Sequence, residues 1–220
     1  GLDPVELGFG PVSAEVCAPT EKGRRREMEM AGPGDRGRRI VPGPGRLVRG
    51  EVHDGNACWL GGRAGNAGLF GTAIAAFRVV SAMASADDGA WLDPGLRRRL
   101  AEPRARSGGE ARTFGFQHGD TGAAPVPRDV PAAEGAYGHV GFTGTSAWVF
   151  PRADAVVVLL TNRVHPMWRD APVQQWRREF HREALRVLGE GSAWAAATSW
   201  TRGATGCAAG KRPGDGSSRP

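Results

Sequence analysis

The stretch from Tyr137 to Val164 constrains the fold of this 220-residue chain more than any other. It contains two apolar runs, Thr145–Phe150 and Ala155–Leu160, which are separated by the turn-forming residues 151–154. Two β-rich runs joined by a short turn are typical of an antiparallel hairpin. The second run is continuously apolar and does not alternate, which predicts a strand that is covered on both faces.

Two glycines, Gly138 and Gly141, flank His139 and Val140 where the chain enters this hairpin. Because glycine has no side chain, it lets another group approach the backbone closely. A polar ring beside accessible backbone at the start of a buried strand can line the site of a hydrolase. It can equally begin an ordinary strand, so a strand-capping role for His139 stays open.

Helical periodicity is found at three places outside the hairpin. Thr72 is a candidate N-cap for a helix that ends near residues 87–89, and a second helix is predicted over Pro94–Ala101. The pattern over Pro172–Leu188 predicts an amphipathic helix. Its stripe of Val173, Trp176, Phe180, Ala184 and Leu188 is expected to face the core, and His118 and His181 are expected on the surface.

The segments around these elements have the composition of loops and tails. The chain has 34 glycines and 16 prolines, and few periodic apolar patterns outside the elements above. We predict an extended, partly disordered linker over residues 1–45, the folded part over 46–189 and a disordered tail over 190–220.

Composition argues against several classes of function. The net charge of +6 comes almost wholly from arginines scattered through every segment, so no nucleic acid is expected, and non-specific binding to it is a minor alternative. The 3 cysteines lie far apart and no HExxH or CxxC motif occurs, so neither a metal site nor a disulfide framework is indicated. No apolar run reaches the ~18 residues of a membrane span. Compartment and oligomeric state stay open.

Three further stretches carry a family resemblance. GEVHDGNA occupies residues 50–57, GGRAGNAGLFGT occupies 61–72, and HVGFTGTS and VVVLLTNRVHP lie between 139 and 166. In this order and at these spacings they resemble the later part of the serine β-lactamase-like hydrolases, which include class C β-lactamases, penicillin-binding proteins and esterases. The resemblance implies an α/β fold with an antiparallel sheet flanked by helices, here incomplete and followed by the disordered tail.

The resemblance also implies acyl-enzyme chemistry without a metal or an organic cofactor. In that family a serine attacks a carbonyl, a lysine three residues later and the tyrosine of a YxN or YxD motif handle protons, and a KTG or HxG motif lines a strand. The sequence from His139 to Gly141 matches the HxG motif, so the N–H of Phe142 would be one oxyanion donor. The implied substrate is a small-molecule ester, a β-lactam or a peptide-like compound.

Five other residues are candidates for substrate binding. His53 and Asp54 are candidates for a dyad that shapes the pocket, and Asn56 is similar, although such residues often only hold a loop. Thr143 follows the HxG match directly. By resemblance, His165 lies near the cleft, and structural capping is its alternative.

The nucleophile motifs of the family are missing from the sequence. A SxxK motif needs a serine three residues before a lysine, and neither Lys22 nor Lys211 has one. The only tyrosine, Tyr137, does not begin a YxN or YxD motif, and no GxSxG motif occurs. We interpret the chain as a C-terminal piece of such a hydrolase that is inactive alone; the alternative is a non-catalytic pseudo-enzyme or ligand-binding module of the same fold.

Overall fold

The computed structural model describes residues 7–31, 45–86 and 91–190. Strand β1 (Leu7–Phe9) pairs antiparallel with β2 (Leu69–Gly71). A six-stranded antiparallel sheet comprises β3 (Ala105–Ser107), β4 (Glu110–Arg112), β5 (Gln117–His118), β6 (Tyr137–Val140), β7 (Ser146–Phe150) and β8 (Ala155–Leu159), hydrogen-bonded in that order. The predicted tail lies outside the described residues from 191 onward.

The helices surround this sheet. They are α1 (Arg25–Ala31), α2 (Gly55–Trp59), α3 (Ala73–Ala84), α4 (Pro94–Ala101) and α5 (Val173–Glu190), with short 3-10 turns at Ala14–Val16, Pro131–Ala133 and Pro151–Ala153. In the described ranges none of these helices combines the length and the apolar character needed to cross a membrane.

The predicted hairpin is confirmed, with one difference at its start. Strands β7 and β8 pair from Phe150 and Ala155 to Ser146 and Leu159, and the turn between them ends at Asp154 with φ 46°. The segment of Gly138 and His139 does not lead directly into β7, however. It forms β6, a separate strand that pairs with β7, because the chain reverses direction over residues 141–145.

Both faces of the hairpin are covered, as the continuous apolar run predicts. Trp148, Phe150 and Val157 pack in one buried cluster with Leu185 of α5. On the opposite face, Tyr137, Val149 and Leu100 form a second cluster, with Val156 and residues of α3 packed against it. Full burial of a large apolar side chain contributes roughly 1.5–3 kcal/mol, so these clusters hold the sheet between its helices. The expected α/β class, with an antiparallel sheet flanked by helices, is confirmed.

The helix predictions at α3 and α4 are also confirmed, except that α3 ends at Ala84 and not near residues 87–89. Thr72 caps α3, since its side-chain oxygen accepts a hydrogen bond from Ala75 N at 3.1 Å. Helix α4 spans Pro94–Ala101, and Asp93 caps its first turn.

The predicted inward stripe of α5 is wrong at Trp176, Phe180 and Leu188, but Val173 is buried and the half-buried Ala184 packs against the core cluster. Trp176 is 52% exposed and Phe180 39% exposed, whereas Val173, Arg177, His181 and Leu185 form the buried row. The polar members of this row are tolerated because they find partners; His181 Nδ1 lies 2.7 Å from Pro125 O. The prediction that His181 and His118 lie on the surface is therefore wrong, since both are buried.

The described part of the N-terminal segment is more ordered than its composition indicates. Residues 7–31 were expected to be extended or loop, yet they include β1, a 3-10 turn and α1. Arg24 anchors this segment because its buried guanidinium donates to the carbonyls of His53 (3.0 Å) and Val52 (2.5 Å). The division of the chain at residues 45 and 190 stays a prediction.

Candidate functional site

A cleft of about 290 Å³ opens at the end of strand β6. Its lining combines β6 and the following loop with β4, β5 and the first turns of α5: Arg112, Gln117, His139, Val140, Gly141, Phe142, Arg163, Val173, Gln174 and Arg177. The HxG match of the sequence therefore lines a cleft, together with the residue that follows it.

Strand β6 leaves part of its edge open toward this cleft. Strand β5 pairs with Tyr137 and Gly138 and goes no further, so no described strand pairs with His139 or Val140 on that side. Beyond the strand, Gly141 N donates to Thr145 O at 2.7 Å. The next N–H, that of Phe142, has no hydrogen-bond acceptor among the described residues. It is a backbone donor available to a ligand.

The loop of residues 141–145, which we call the turn loop, is held through all of its carbonyls. Arg177 Nη2 donates to Gly141 O (2.8 Å) and to Thr145 O (2.7 Å), and Arg163 donates through Nε to Phe142 O (2.7 Å) and through its backbone N to Thr143 O (2.8 Å). Thr161 Oγ1 donates to Gly144 O (2.7 Å). Within the loop, Gly144 N donates to Gly141 O (3.1 Å) and Gly141 N donates to Thr145 O (2.7 Å). A donor on a fixed loop needs no reorganisation when charge develops on a bound carbonyl oxygen.

Two glycines make this loop geometry possible. A Cβ at Gly141 would overlap Thr145 Oγ1. Gly144 has φ +124°, which side chains rarely adopt, and a Cβ there would lie 2.7 Å from Thr161 Oγ1. The two glycines of GFTG are therefore a steric requirement of the turn.

The Phe142 side chain is held as firmly as its backbone. Its ring stacks on His53, with centroids 5.8 Å apart, and the Arg163 guanidinium lies 5.1 Å from its centroid. His53 is buried behind the turn loop, with Nδ1 3.0 Å from Thr20 Oγ1. Burial, with a contribution from Arg24, lowers the pKa of His53 to about 4. His53 is therefore a neutral packing partner of Phe142 near neutral pH.

The positive charge of the cleft comes from arginines. Burial lowers the pKa of His139, and Arg112 lowers it further, so this imidazole is mainly neutral at neutral pH. Arg112 is paired with Glu110 at 2.5 Å. Burial also lowers the pKa of Arg163, although Asp170 opposes the effect. The cleft thus offers a neutral histidine, guanidinium groups and the unpaired N–H of Phe142.

The structure brings together three of the predicted site residues, His139, Gly141 and Phe142, at the cleft. The other five have different surroundings. Asp54 caps α2 by accepting a hydrogen bond from Ala57 N (2.7 Å), and Asn56 is exposed on the same helix. His53 packs behind Phe142, and the carbonyl of Thr143 is one of those bonded in the turn loop. His165 is exposed, with Nδ1 3.0 Å from Thr20 O. None of these five lines the cleft.

The sequence interpretation missed the two arginines that bind the turn loop. Arg163 lies within the LTNRVHP stretch, but no spacing in that stretch indicates a partner. Arg177 belongs to a row with a spacing of four residues, between Val173 and His181. To predict its inward position, one would have to place a charged residue in a buried helical row, and charged residues are rarely buried.

Comparison with known proteins identifies a family for the part of the chain that forms the cleft. A family model described as Beta-lactamase matches residues 17–181, which is 165 of the 220 residues. The match includes every residue that lines the cleft. No curated protein and no solved structure matches the chain.

Proposed function

The chain belongs to the beta-lactamase family of hydrolases, and on that premise we propose that residues 139–142 polarise the carbonyl of a small-molecule substrate. The observation that carries the proposal is the Phe142 N–H, which has no acceptor among the described residues and lies at a cleft on a loop whose carbonyls are all bonded. An ester, a β-lactam or a peptide-like amide would present its carbonyl oxygen to this N–H.

The proposed chemistry is acyl transfer to a serine. A base removes the proton of the serine hydroxyl as its oxygen adds to the substrate carbonyl carbon, and the negative charge that develops on the carbonyl oxygen is held by the Phe142 N–H and by the serine's own N–H. Collapse of this intermediate expels the leaving group, which takes up that proton, and gives an acyl-enzyme, which water then hydrolyses to the acid and the free serine. Loss of one such donor typically costs about 2.7–4 kcal/mol of transition-state stabilisation.

No serine of the sequence stands in a nucleophile motif of the family. A serine needs a base in hydrogen-bond reach, and no SxxK, YxN or GxSxG motif occurs in the sequence. Ser146 is buried in β7. We therefore propose that the chain supplies the carbonyl-polarising strand and is inactive alone, with the nucleophile contributed by a polypeptide segment outside this sequence.

The test is turnover by the purified chain. Nitrocefin and p-nitrophenyl acetate should be hydrolysed no faster than in buffer. Hydrolysis that is abolished by a fluorophosphonate, a reagent for active serines, would contradict the absence of a nucleophile. Hydrolysis that the reagent leaves unchanged would point to a contaminating activity or to general base catalysis, and the same assay on His139→Ala separates these two.

The second candidate function is a non-catalytic ligand-binding module. The cleft favours it, because residues of this chain form the cleft and bond every carbonyl of its loop without a contribution from a nucleophile motif. Calorimetric titration with benzylpenicillin should then show binding without hydrolysis, and His139→Ala should remove that binding. His165→Ala is the matched control, since His165 is exposed and lies off the cleft lining. Equal loss of binding in both variants would contradict a module built on this cleft.

A further inference from the structure

Arg177 is a buried arginine that reaches the turn loop from helix α5. Its side chain is 2% exposed, and Nη2 donates to both Gly141 O (2.8 Å) and Thr145 O (2.7 Å). Nη1 donates to Gln174 Oε1 at 3.0 Å, which orients the guanidinium from its own helix. The two loop carbonyls it binds are the first and last of the turn loop, so one group ties both ends of the loop together.

The bond to Gly141 O has a particular chemical consequence. The Gly141 carbonyl and the Phe142 N–H belong to the same peptide group. A donor on the carbonyl oxygen polarises that peptide and makes its N–H a stronger donor, by roughly 10–30% per bond in condensed-phase estimates. Charge-assisted donors such as a guanidinium have the larger effect on their acceptors.

We propose that Arg177 is a positioning residue for the oxyanion donor: it fixes the Gly141–Phe142 peptide and strengthens the Phe142 N–H. This inference rests on the proposed function, because it assigns Arg177 a role toward the same developing oxyanion. Arg177 acts through the peptide and does not itself need to touch the substrate carbonyl.

The burial of Arg177 supports a role beyond packing. Its Nε is buried and has no hydrogen-bond partner among the described residues. A buried charge with an unsatisfied donor is costly, and an apolar side chain of similar volume is often at least as stabilising. Burial lowers the pKa of Arg177 to about 10, which still leaves the guanidinium charged at neutral pH. The charged Arg177 side chain therefore binds the carbonyls of Gly141 and Thr145 at a cost in stability.

Arg163 provides an internal comparison. Its Nε donates to Phe142 O at 2.7 Å, which is the carbonyl of the following peptide. It therefore holds the turn loop without acting on the peptide that carries the Phe142 N–H. Loss of Arg163 should loosen the loop, whereas loss of Arg177 should also weaken this one donor.

The experiment observes the Gly141–Phe142 peptide by NMR in the full chain without ligand. Glycine labelled at the carbonyl carbon and phenylalanine labelled at the amide nitrogen give a correlation only for Gly–Phe pairs. The sequence has three such pairs, Gly8–Phe9, Gly115–Phe116 and Gly141–Phe142, so two of them are internal controls. Phe142→Leu removes and thereby identifies the peak of interest.

The expected result is an upfield shift of the Gly141–Phe142 peak in Arg177→Met, in both the carbonyl-carbon and the amide-nitrogen dimension, with the control peaks unmoved. Arg177→Lys, which keeps a charged donor, should restore part of the shift. Arg178→Met makes the same change one residue along α5 and should leave all three peaks in place. A folded Arg177→Met with an unmoved Gly141–Phe142 peak would overturn the inference.

If Arg177→Met does not fold, Arg177→Gln compared with Arg178→Gln decides the matter, because glutamine removes the charge of the donor, and a Gly141–Phe142 peak that is equally unmoved in both would overturn the inference. A benzylpenicillin titration of the wild-type chain separates this from the proposed function. A Phe142 amide that does not respond to bound benzylpenicillin would contradict the proposed function alone. The shift of the Gly141–Phe142 peak in Arg177→Met, which is measured without ligand, would still test the action of Arg177 on this peptide.

Discussion

The rings of His53 and Phe142 stack with centroids 5.8 Å apart and planes inclined by 23°. This contact joins the HDGNA stretch to the turn loop, which are almost ninety residues apart in the sequence. His53 is itself tied to the N-terminal segment, because Arg24 donates to its carbonyl and Thr20 contacts its ring nitrogen. The loop that carries the candidate donor is thus supported from behind by the first part of the chain.

Removal of this stack should destabilise the chain and loosen the loop. His53→Ala loses the aromatic pair, worth about 0.5–1.5 kcal/mol, in addition to the buried area of the ring. His53→Phe keeps a ring against Phe142 and should retain most of the pair. Urea unfolding measures both variants. His165→Ala is the surface control and should change the free energy of unfolding by less than about 0.5 kcal/mol. A His53→Ala variant that loses no more stability than this control would contradict a stabilising role of the stack.

Two buried histidines should make stability depend on pH. Burial lowers the pKa of both His53 and His181 to about 4 in the folded chain, from the ordinary histidine value of 6.5. As the pH falls, the unfolded chain therefore binds protons first. The stabilisation is fully present above pH 6.5 and is lost progressively between pH 6.5 and about 4.

The size of this loss is on the order of 3 kcal/mol for each histidine, by the linkage between pKa shift and stability. Urea unfolding at a series of pH values measures it. His181→Asn keeps a donor for Pro125 O but removes one of the two titrating rings, so it should lower the slope between pH 6.5 and 4 by about half. A slope in His181→Asn as steep as in the wild-type chain would show that His181 is not the source.

Gly141 and Thr145 should be coupled energetically. A Cβ at residue 141 overlaps Thr145 Oγ1, while the next nearest atoms, Thr145 Cβ and O, lie at the ordinary separations of 3.5 and 3.6 Å. Gly141→Ala should therefore cost roughly 1–3 kcal/mol, as overpacking does. Thr145→Ala in the same chain removes the clashing oxygen and should restore part of that loss. Additive costs in the double variant, measured by urea unfolding, would contradict the proposed clash.

Asp54 should behave as a helix cap. Its Oδ1 accepts from Ala57 N at 2.7 Å at the start of α2. Asp54→Ala should lower the free energy of unfolding by about 1 kcal/mol, whereas Asp54→Asn, which can also cap, should have little effect. An Asp54→Ala variant as stable as the wild-type chain would contradict the capping role, and loss of benzylpenicillin binding in Asp54→Asn would add a role in the pocket.

The elements that the sequence predicts well are those whose pattern is local. The hairpin of β7 and β8 follows from two apolar runs and a turn, and α4 follows from an early proline and a four-residue apolar spacing. The residues of the HxG motif and the one after it, His139, Gly141 and Phe142, lie at one cleft, and their role there stays a prediction. In each case neighbouring residues alone carry the signal.

The features that the sequence does not predict depend on distant partners. Arg177 and His181 are polar, as residues on the solvent-facing side of a helix usually are. They face inward because backbone carbonyls bind them there, those of Gly141, Thr145 and Pro125. Arg24 lies in a Gly- and Arg-rich segment of loop-like composition. Its order comes from carbonyls almost thirty residues away, which no local pattern shows.

Polarisation of a substrate carbonyl by the Phe142 N–H can be measured by infrared spectroscopy. The observable is the stretching frequency of an isotope-labelled β-lactam carbonyl in benzylpenicillin, with binding verified by calorimetry. We predict a lower frequency when the compound is bound than in water, retained in Phe142→Leu and lost in Phe142→Pro, which has no backbone N–H. A bound β-lactam whose carbonyl frequency equals that in water, or is equally lowered in Phe142→Pro, would contradict the assignment of Phe142 as the donor.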